Sequence, residues 1–315
     1  MLRFAPRTLS RAPKLRLAAT LSAVALSVFG LTPQRADASI HNAATGLIVT
    51  SLAPAPGGGF WVHYDNPELF ENDPFDAETI PTGGAPDLGT HWDRGTIAGI
   101  PGRNGYYIVS PLGRIYERGD TQWDLDPVFG THLSDQSDFP VVPISTQFIV
   151  AAAAHPTGKG LWAVGRDGAV WAWGTNMQTY GDVTFDTAEP AAIVSTPSGN
   201  GYYIVMDNGG VHARGDAVFY GSTGGNRPNG KDITGMALSI GNNGLVNGYW
   251  LVGEDGGVHT FGDARFLGST GGNNGGSEVT GIASFPAPAY GRPAERTRGY
   301  AWVHKHGYVT TLYAN

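Results

Sequence analysis

Two acidic segments hold the side chains that could do chemistry in this sequence. The first runs from Asp65 to Leu88 and carries seven Asp and Glu residues without one Lys or Arg. Calcium binds hard oxygen ligands such as carboxylates and backbone carbonyls, so this segment predicts a calcium site. A solvated acidic loop is the alternative, because the spacing does not match an EF-hand loop. The predicted calcium ligands are Asp65, Glu71, Asp73 and Asp76.

The second acidic segment combines carboxylates with aromatic rings. Here Trp123 and Phe129 stand beside Asp124 and Asp126. An exposed ring can stack on a sugar while neighbouring carboxylates accept hydrogen bonds from its hydroxyl groups. The four residues therefore form the predicted ligand site, with a polysaccharide as the ligand class. The alternative is that the rings are buried beneath their own loop.

Six short segments, predicted to form the innermost strands around a central channel, carry almost no ionisable residues. They contain no Asp or Glu, and His155 is their only histidine. Without convergent carboxylates or imidazoles, neither general acid–base catalysis nor a side-chain metal site can be built there. No catalytic residue is predicted, and a hydrolase or lyase that uses Asp73 and Asp76 is the competing hypothesis. The segments are 46–51, 96–100, 148–155, 191–196, 233–239 and 279–284.

An internal repeat organises the chain. Residues 201–226 and 248–273 align without a gap and share a Gly-Tyr-aromatic start, an Asx-Gly-Gly turn region and a Gly-Asp-Ala-x-Phe element. The two copies start 47 residues apart, at Gly201 and Gly248. A repeat period of about this length indicates a propeller or a solenoid. Weaker copies begin at Gly59, Gly105, Gly160 and Gly299, which gives six units.

Each unit is predicted to form a four-stranded blade. In the fifth unit the strands are expected at 233–239, 248–253, 258–261 and 265–267, with a tight turn at Asp255-Gly256-Gly257. These units predict an all-β fold, a single β-propeller. Six blades are expected, and seven is the alternative count. The last unit lacks a fourth strand, which residues 40–44 are predicted to supply by closing the ring.

Several histidines and aspartates recur at equivalent positions of the repeat, and we predict structural roles for them. His212 and His259 occupy equivalent third-strand positions, and the Gly-Asp pairs that end with Asp120, Asp216 and Asp263 are interpreted as turn formers that accept backbone N–H bonds. On an extended terminal strand, His304 and His306 would face the same side.

The repeat resembles a propeller repeat of secreted actinobacterial proteins. The resemblance lies in Gly-Tyr-Trp-Leu-Val-x-x-Asp-Gly-Gly-Val-x-x-Phe-Gly-Asp-Ala-x-Phe-x-Gly-Ser-Thr-Gly-Gly at residues 248–272. It implies an accessory binding role and brings no defined ligand. Residues 166–176 are also similar to the repeat of regulator-of-chromosome-condensation propellers, from which only the blade architecture is carried over.

The N-terminus is typical of a removable signal peptide. Arginines and a lysine precede an apolar run from Leu17 to Leu31, and Ala36-Asp37-Ala38 forms a small-x-small cleavage site. The predicted organisation is a signal peptide at 1–38 and a propeller domain at 39–315. Secretion follows as the expected localisation, either free or at the cell surface, with no membrane insertion after cleavage.

Charge and composition narrow the partners. Removing residues 1–38 takes six of the 20 Lys and Arg and one of the 27 Asp and Glu, which leaves a net charge of −12. That balance argues against nucleic acid as a partner, and the absence of cysteine excludes disulfides and thiolate metal sites. The sequence thus predicts a secreted, monomeric, non-catalytic binding propeller without a cofactor other than calcium. A polysaccharide is the expected partner and a surface protein the alternative.

Overall fold

The structure is a computed structural model in which all regular elements but one short turn are β-strands. It describes residues 34–39, 48–55, 60–65, 77–82, 95–111, 113, 115–122, 149–184, 188–271, 278–285 and 299–313. Within these residues the one exception is a 3₁₀ turn at Pro228–Gly230, so the all-β prediction is confirmed. The strands are β1 Gln34–Ser39, β2 Ile48–Pro54, β3 Phe60–Asp65, β4 Ala77–Thr82, β5 Thr96–Gly99, β6 Gly105–Val109, β7 Ile115–Gly119, β8 Ile149–Ala154, β9 Gly160–Gly165, β10 Val170–Gly174, β11 Pro190–Ser195, β12 Gly201–Met206, β13 Val211–Gly215, β14 Ile233–Ile240, β15 Val246–Gly253, β16 Val258–Gly262, β17 Val279–Phe285, β18 Gly299–His304 and β19 Tyr308–Tyr313.

The strands of the described residues form six antiparallel sheets, which we number as blades 1 to 6 along the chain. Blades 1 to 5 each contain three consecutive strands, beginning with β2, β5, β8, β11 and β14. Blade 6 contains β17, β18 and β19, and β1 is added at its outer edge. In every blade the first strand is the inner one, and the strands of each blade follow the repeat seen in the sequence.

Apolar side chains between neighbouring blades hold the ring together. Six buried clusters each combine residues of two consecutive blades, and one of them joins the last blade to the first. In that cluster Val49 and Val62 of blade 1 lie with Ala301 and Val303 of blade 6. The backbone N–H of Val49 also donates to the carbonyl of Lys305 at 2.9 Å. The ring is therefore closed by packing and by a backbone hydrogen bond.

The prediction of four-stranded blades is wrong for blades 3, 4 and 5, where the described residues that follow the third strand form no fourth strand. In blades 1 and 2 most of the residues that follow the third strand lie outside the described part of the chain. In blade 5, residues 265–267 lie beyond β16 without forming a strand. A fourth segment still runs along the outside, but side chains anchor it in place of a backbone ladder. The indole N–H of Trp250 donates to the carbonyl of Arg265 at 3.0 Å.

In blades 3, 4 and 5, a tyrosine of the following blade supplies the second anchor of the fourth segment. The hydroxyl of Tyr249 accepts a bond from the N–H of Tyr220 at 3.1 Å and donates to the carbonyl of Gly221 at 2.5 Å. Tyr202 makes the same pair of bonds to Tyr180 and Gly181, and Tyr300 makes it to Leu267 and Gly268. Burial raises the pKa of Tyr300 to about 12, so this hydroxyl keeps its proton. These aromatic residues of the repeat thus hold the fourth segments against the blades, which is a structural role.

Facing glycines allow the second and third strands to approach closely. In blade 5, Gly248 lies directly opposite Gly262, whose φ is +65°. A Cβ atom at Gly248 would overlap the carbonyl oxygen of Phe261. Blades 2, 3 and 4 contain the same facing pair at Gly105 and Gly119, Gly160 and Gly174, and Gly201 and Gly215.

Two segments differ from the sequence prediction in blades 1 and 6. The acidic segment 65–88 supplies β4, the third strand of blade 1, because Ala77–Thr82 pairs with β3 along its whole length. The strand that closes blade 6 is Gln34–Ser39, whereas the predicted closing segment, 40–44, lies outside the described residues. An N-terminal strand therefore completes blade 6, but five of its six residues belong to the predicted signal peptide, so closure by the mature N-terminus at 40–44 stays a prediction.

The turns divide the molecule into two faces. The proline-turn face carries the turns between first and second strands, including 100–104, 155–159 and 196–200. The ion-pair face carries the turns between second and third strands, where Arg166 pairs with Glu189 at 3.2 Å and Lys305 with Glu278 at 2.8 Å. In this face Asp255 accepts the N–H of Gly257 at 2.8 Å, which agrees with its interpretation as a turn former.

Candidate functional site

Most of the predicted site residues lie outside the described part of the chain. This holds for Trp123, Asp124, Asp126 and Phe129 of the ligand site and for Glu71, Asp73 and Asp76 of the calcium site. Asp65 is the last residue of β3, where its backbone pairs with Ile48 and Ala77. That strand ends at the ion-pair face, so the acidic segment begins there.

The aromatic segment begins at the opposite face of the ring. Gln122, the residue before Trp123, donates its backbone N–H to the carbonyl of Gly158 in the blade 3 turn at 2.8 Å. Two residues earlier, the N–H of Asp120 donates to the carbonyl of Asn104 at 2.8 Å. The first residues of the segment are therefore fixed at the proline-turn face. The described residues that border the two predicted sites, Asp65 and Gln122, therefore lie at different faces.

Polar groups surround Gln122, and we call Arg103, Asp120, Gln122, Thr157 and Lys159 the Gln122 patch. Arg103 and Asp120 form an ion pair at 3.4 Å, and their side chains are 27% and 55% exposed. The side chains of Gln122 and Lys159 are also exposed. An exposed pair of this kind stabilises the fold little, so its groups remain open to a ligand.

Hydrogen bonds beneath the Gln122 patch hold its backbone in place. The hydroxyl of Tyr107 donates to the carbonyl of Gly158 at 2.6 Å, and burial strongly raises the pKa of this hydroxyl. Nδ1 of His155 lies 2.6 Å from Oγ1 of Thr157 in the same turn. These bonds fix the turn that carries Thr157 and Lys159.

The equivalent place in blade 4 is occupied by internal bonds. Asp216 accepts hydrogen bonds from the hydroxyls of Thr196 at 2.8 Å and Ser198 at 2.5 Å. The sequence predicts that the carboxylate of Asp216 accepts backbone N–H bonds in a turn. Here the carboxylate accepts hydroxyls instead, and the backbone N–H of Asp216 donates to the carbonyl of Asn200 at 3.1 Å. Both oxygens of Asp216 serve to join two turns, so the role remains structural.

A central channel of about 210 Å³ runs between the first strands of all six blades. None of the residues that line it carries an ionisable side chain, and His155 is not among them. The lining consists of small or apolar residues and of hydroxyl groups such as those of Thr50, Thr234 and Thr280. Each first strand pairs with the second strand of its blade on one side only, so its other edge faces the channel. The backbone N–H and C=O groups along that edge need water as a hydrogen-bond partner. These features suit a hydrated channel and offer no acid–base pair within the described lining.

The described histidines do not converge on a metal site. Burial lowers the pKa of His155, His212 and His259, and each lies in a different blade. His304 is buried and accepts a hydrogen bond from the indole of Trp302 at 3.1 Å, whereas His306 is exposed. The expectation that His304 and His306 share one side is wrong, because Lys305 and His306 form a turn. Within the described residues no three potential ligands are grouped for a metal ion.

We expect the stability of the fold to decrease as the pH falls below about 6.5. His155, His212 and His259 have folded-state pKa values below the ordinary histidine value, because burial disfavours the charged form. Between the lowered and the ordinary pKa the unfolded chain binds more protons, so stability is present above that window and is lost on acidification. Thermal unfolding from pH 8 to pH 5 measures this, and His212→Gln should flatten the curve. An equally steep curve in this variant would exclude His212 as a cause.

Comparisons with known proteins bear on the fold. No family model matches the chain, and no curated protein matches it. Among solved structures, the β-propeller domain of Cps50 (Swd1) from Myceliophteria thermophila is similar, with a TM-score of 0.50, 10% sequence identity and coverage of 85% of this chain and 84% of that chain. The chain folds as a β-propeller.

A second solved structure, Raptor from Chaetomium thermophilum, has the same TM-score of 0.50 and 10% identity. The alignment covers 86% of this chain and only 28% of the Raptor chain. At this identity the likeness concerns the fold alone. Within the described residues, no helix has the length and apolarity needed to cross a membrane.

Proposed function

We propose that this propeller is a secreted, non-catalytic binding module that recognises a cell-envelope or extracellular polysaccharide through the proline-turn face. One observation carries the proposal. The aromatic and acidic segment that starts at Trp123 follows Gln122 in the chain, and the backbone N–H of Gln122 donates to the carbonyl of Gly158. The segment therefore begins beside the exposed polar groups of the Gln122 patch.

The chemistry of this place suits a sugar. The amide of Gln122 and the charged groups of Arg103 and Asp120 provide donors and acceptors for hydroxyl groups. Trp123 would add a ring that stacks on the apolar face of a pyranose. Single contacts of this kind are weak, and several along one polymer act together by avidity.

Binding without catalysis is supported by the channel lining. Glycoside hydrolysis uses two carboxyl groups roughly 5 to 10 Å apart, and the lining residues include none. A hydrolase that uses Asp73 and Asp76, two residues of the connection between β3 and β4, remains the competing proposal.

The proposal predicts that Trp123→Ala lowers the affinity for the polysaccharide about tenfold, because one stacked ring contributes roughly 1 to 1.5 kcal/mol. The measurement is co-sedimentation of the purified protein with insoluble cell-wall polysaccharide, with and without calcium. Phe219→Ala is the matched control, because Phe219 is an aromatic residue that is 55% exposed and lies on a fourth segment away from the patch. Unchanged affinity in the Trp123 variant would remove this segment from the site.

A protein partner is the second candidate, and exposed apolar side chains favour it. Phe219 and Phe266 occupy the same repeat position in blades 4 and 5, and each is 55% exposed. Exposed aromatic residues often mark protein contacts. If no polysaccharide binds with or without calcium, this candidate takes precedence.

A further inference from the structure

The outer edge of β19 is occupied by residues that the sequence assigns to the signal peptide. Gln34–Ser39 pairs with Tyr308–Tyr313 over six residues, from Gln34 opposite Tyr313 to Ser39 opposite Tyr308. The predicted cleavage site, Ala36-Asp37-Ala38, lies inside this strand. Cleavage after Ala38 would remove five of the six residues of β1 and leave the edge of β19 open.

Blade 6 lacks the side chains that anchor fourth segments elsewhere. In blades 3, 4 and 5 the anchor from the same blade is Trp162, Tyr203 or Trp250. The equivalent residue of blade 6 is Ala301, which follows Tyr300 as Trp250 follows Tyr249. Alanine has no polar group that could hold an outer segment, so this anchor is missing in blade 6.

The anchor from the following blade is also changed at this junction. Tyr202, Tyr249 and Tyr300 each hold the fourth segment of the preceding blade through the hydroxyl. For blade 6 the following blade is blade 1, and its equivalent residue is Phe60, which carries no hydroxyl group. The fourth segment of blade 6 therefore has to be held by backbone pairing, which is the arrangement that β1 shows.

Chain length supports Gln34–Ser39 as the closing strand. In blades 3, 4 and 5 we counted the residues between the carbonyl anchored by the tyrosine and the first strand of the next blade. These connections are residues 182–189, 222–232 and 269–278, with lengths of eight, eleven and ten residues. Residues 40–47 join β1 to β2, and these are also eight residues.

A closing strand at 40–44 would leave only residues 45–47 for the same crossing. The four Cα–Cα steps from residue 44 to residue 48 span at most about 14 Å. The distance from the outer strand to the inner strand of a blade is three strand spacings of about 4.8 Å, which already uses all of that length. Nothing would remain for the step to the neighbouring blade. The segment that follows Ala38 is therefore too close to β2 to replace β1.

We infer that the edge of β19 is a strand-binding site whose resident occupant is Gln34–Ser39, and that the folded protein retains these residues. Any removal of the leader then takes place before Gln34 and not after Ala38. The backbone groups of β19 need this partner because an open edge would be left exposed to other chains.

The test is the N-terminus of the protein made from the full chain, with its own leader, in a secreting bacterial host. Intact-mass analysis of the folded protein is expected to show a first residue at or before Gln34. A first residue after Gln34, including Ser39, would overturn the inference.

Hydrogen exchange on the same protein gives an independent readout. With β1 in place, amides of β19 that point toward β1 and amides that point toward β18 are both protected, since every second residue faces each neighbour. We expect slow exchange along all of β19, with β18 as the internal control. Exchange at least a hundredfold faster at alternate residues of β19 would show an open edge and contradict the inference.

Discussion

Replacing Gly248 by alanine is expected to lower the free energy of unfolding by about 3 kcal/mol. Gly248 is buried in β15 directly opposite Gly262, and an added Cβ would overlap the carbonyl oxygen of Phe261. The obstacle is backbone and not a flexible side chain, so the two strands would have to separate. Chemical denaturation followed by tryptophan fluorescence measures the change.

Gly281→Ala is the matched control for this variant. Gly281 also lies in a strand, β17, and the nearest atom to an added Cβ there is Cγ1 of Val303 at 4.0 Å. Both substitutions reduce the freedom of the unfolded chain equally, so the difference between them reports the close approach. We expect a change within about 0.5 kcal/mol for the control. Equal stability of the two variants would show that the facing glycines are not required.

Tyr249→Phe is expected to destabilise the protein by about 2 kcal/mol although the ring is kept. The lost hydroxyl is the partner of two backbone groups, the N–H of Tyr220 and the carbonyl of Gly221. Each unpaired buried backbone group costs about 1 to 3 kcal/mol, and both groups here are partly exposed, which places the effect at the lower end. The amide of Tyr220 should also exchange faster in this variant.

Tyr180→Phe controls for the loss of a tyrosine hydroxyl as such. The hydroxyl of Tyr180 accepts a bond from the side-chain amide of Gln178 at 3.3 Å, and that pair is exposed. A change below about 0.5 kcal/mol is expected. If the two variants lose the same stability, the anchoring role assigned to Tyr249 is wrong.

The repeat pattern was sufficient to predict the inner three strands of a blade. The predicted strands 248–253 and 258–261 agree with β15 and β16 to within two residues. Aromatic and β-branched residues bounded by Gly-containing turns carry this information locally. The repeat pattern is therefore sufficient to predict an all-β propeller.

The fourth segments could not be predicted in the same way. The hydroxyl of Tyr249 binds Gly221, which is 28 residues away and belongs to the preceding blade. No local pattern reveals such a contact, and alternating residues at 265–267 look like a strand. The third strand of blade 1 was missed for the opposite reason, because the acidic residues near Ala77 favour a loop although pairing with β3 makes a strand.

The candidate site was only partly accessible from sequence. The residue types around Trp123 and Asp73 suggested two chemistries, but the faces from which their segments start depend on strand direction. Gln122 fixes the first segment to the proline-turn face, and Asp65 ends a strand at the ion-pair face. If the proposed sugar site and a calcium site both exist, their segments start from different faces.

One incubation tests the central proposal most directly. The purified protein is mixed with insoluble cell-wall polysaccharide, and the protein left in solution and the soluble sugar fragments are measured over the same period. Binding without catalysis predicts saturable loss of protein from solution and no release of fragments. Release of fragments that stops in Asp73→Asn and Asp76→Asn would contradict the proposal in favour of a hydrolase, and protein that stays wholly in solution would contradict polysaccharide recognition.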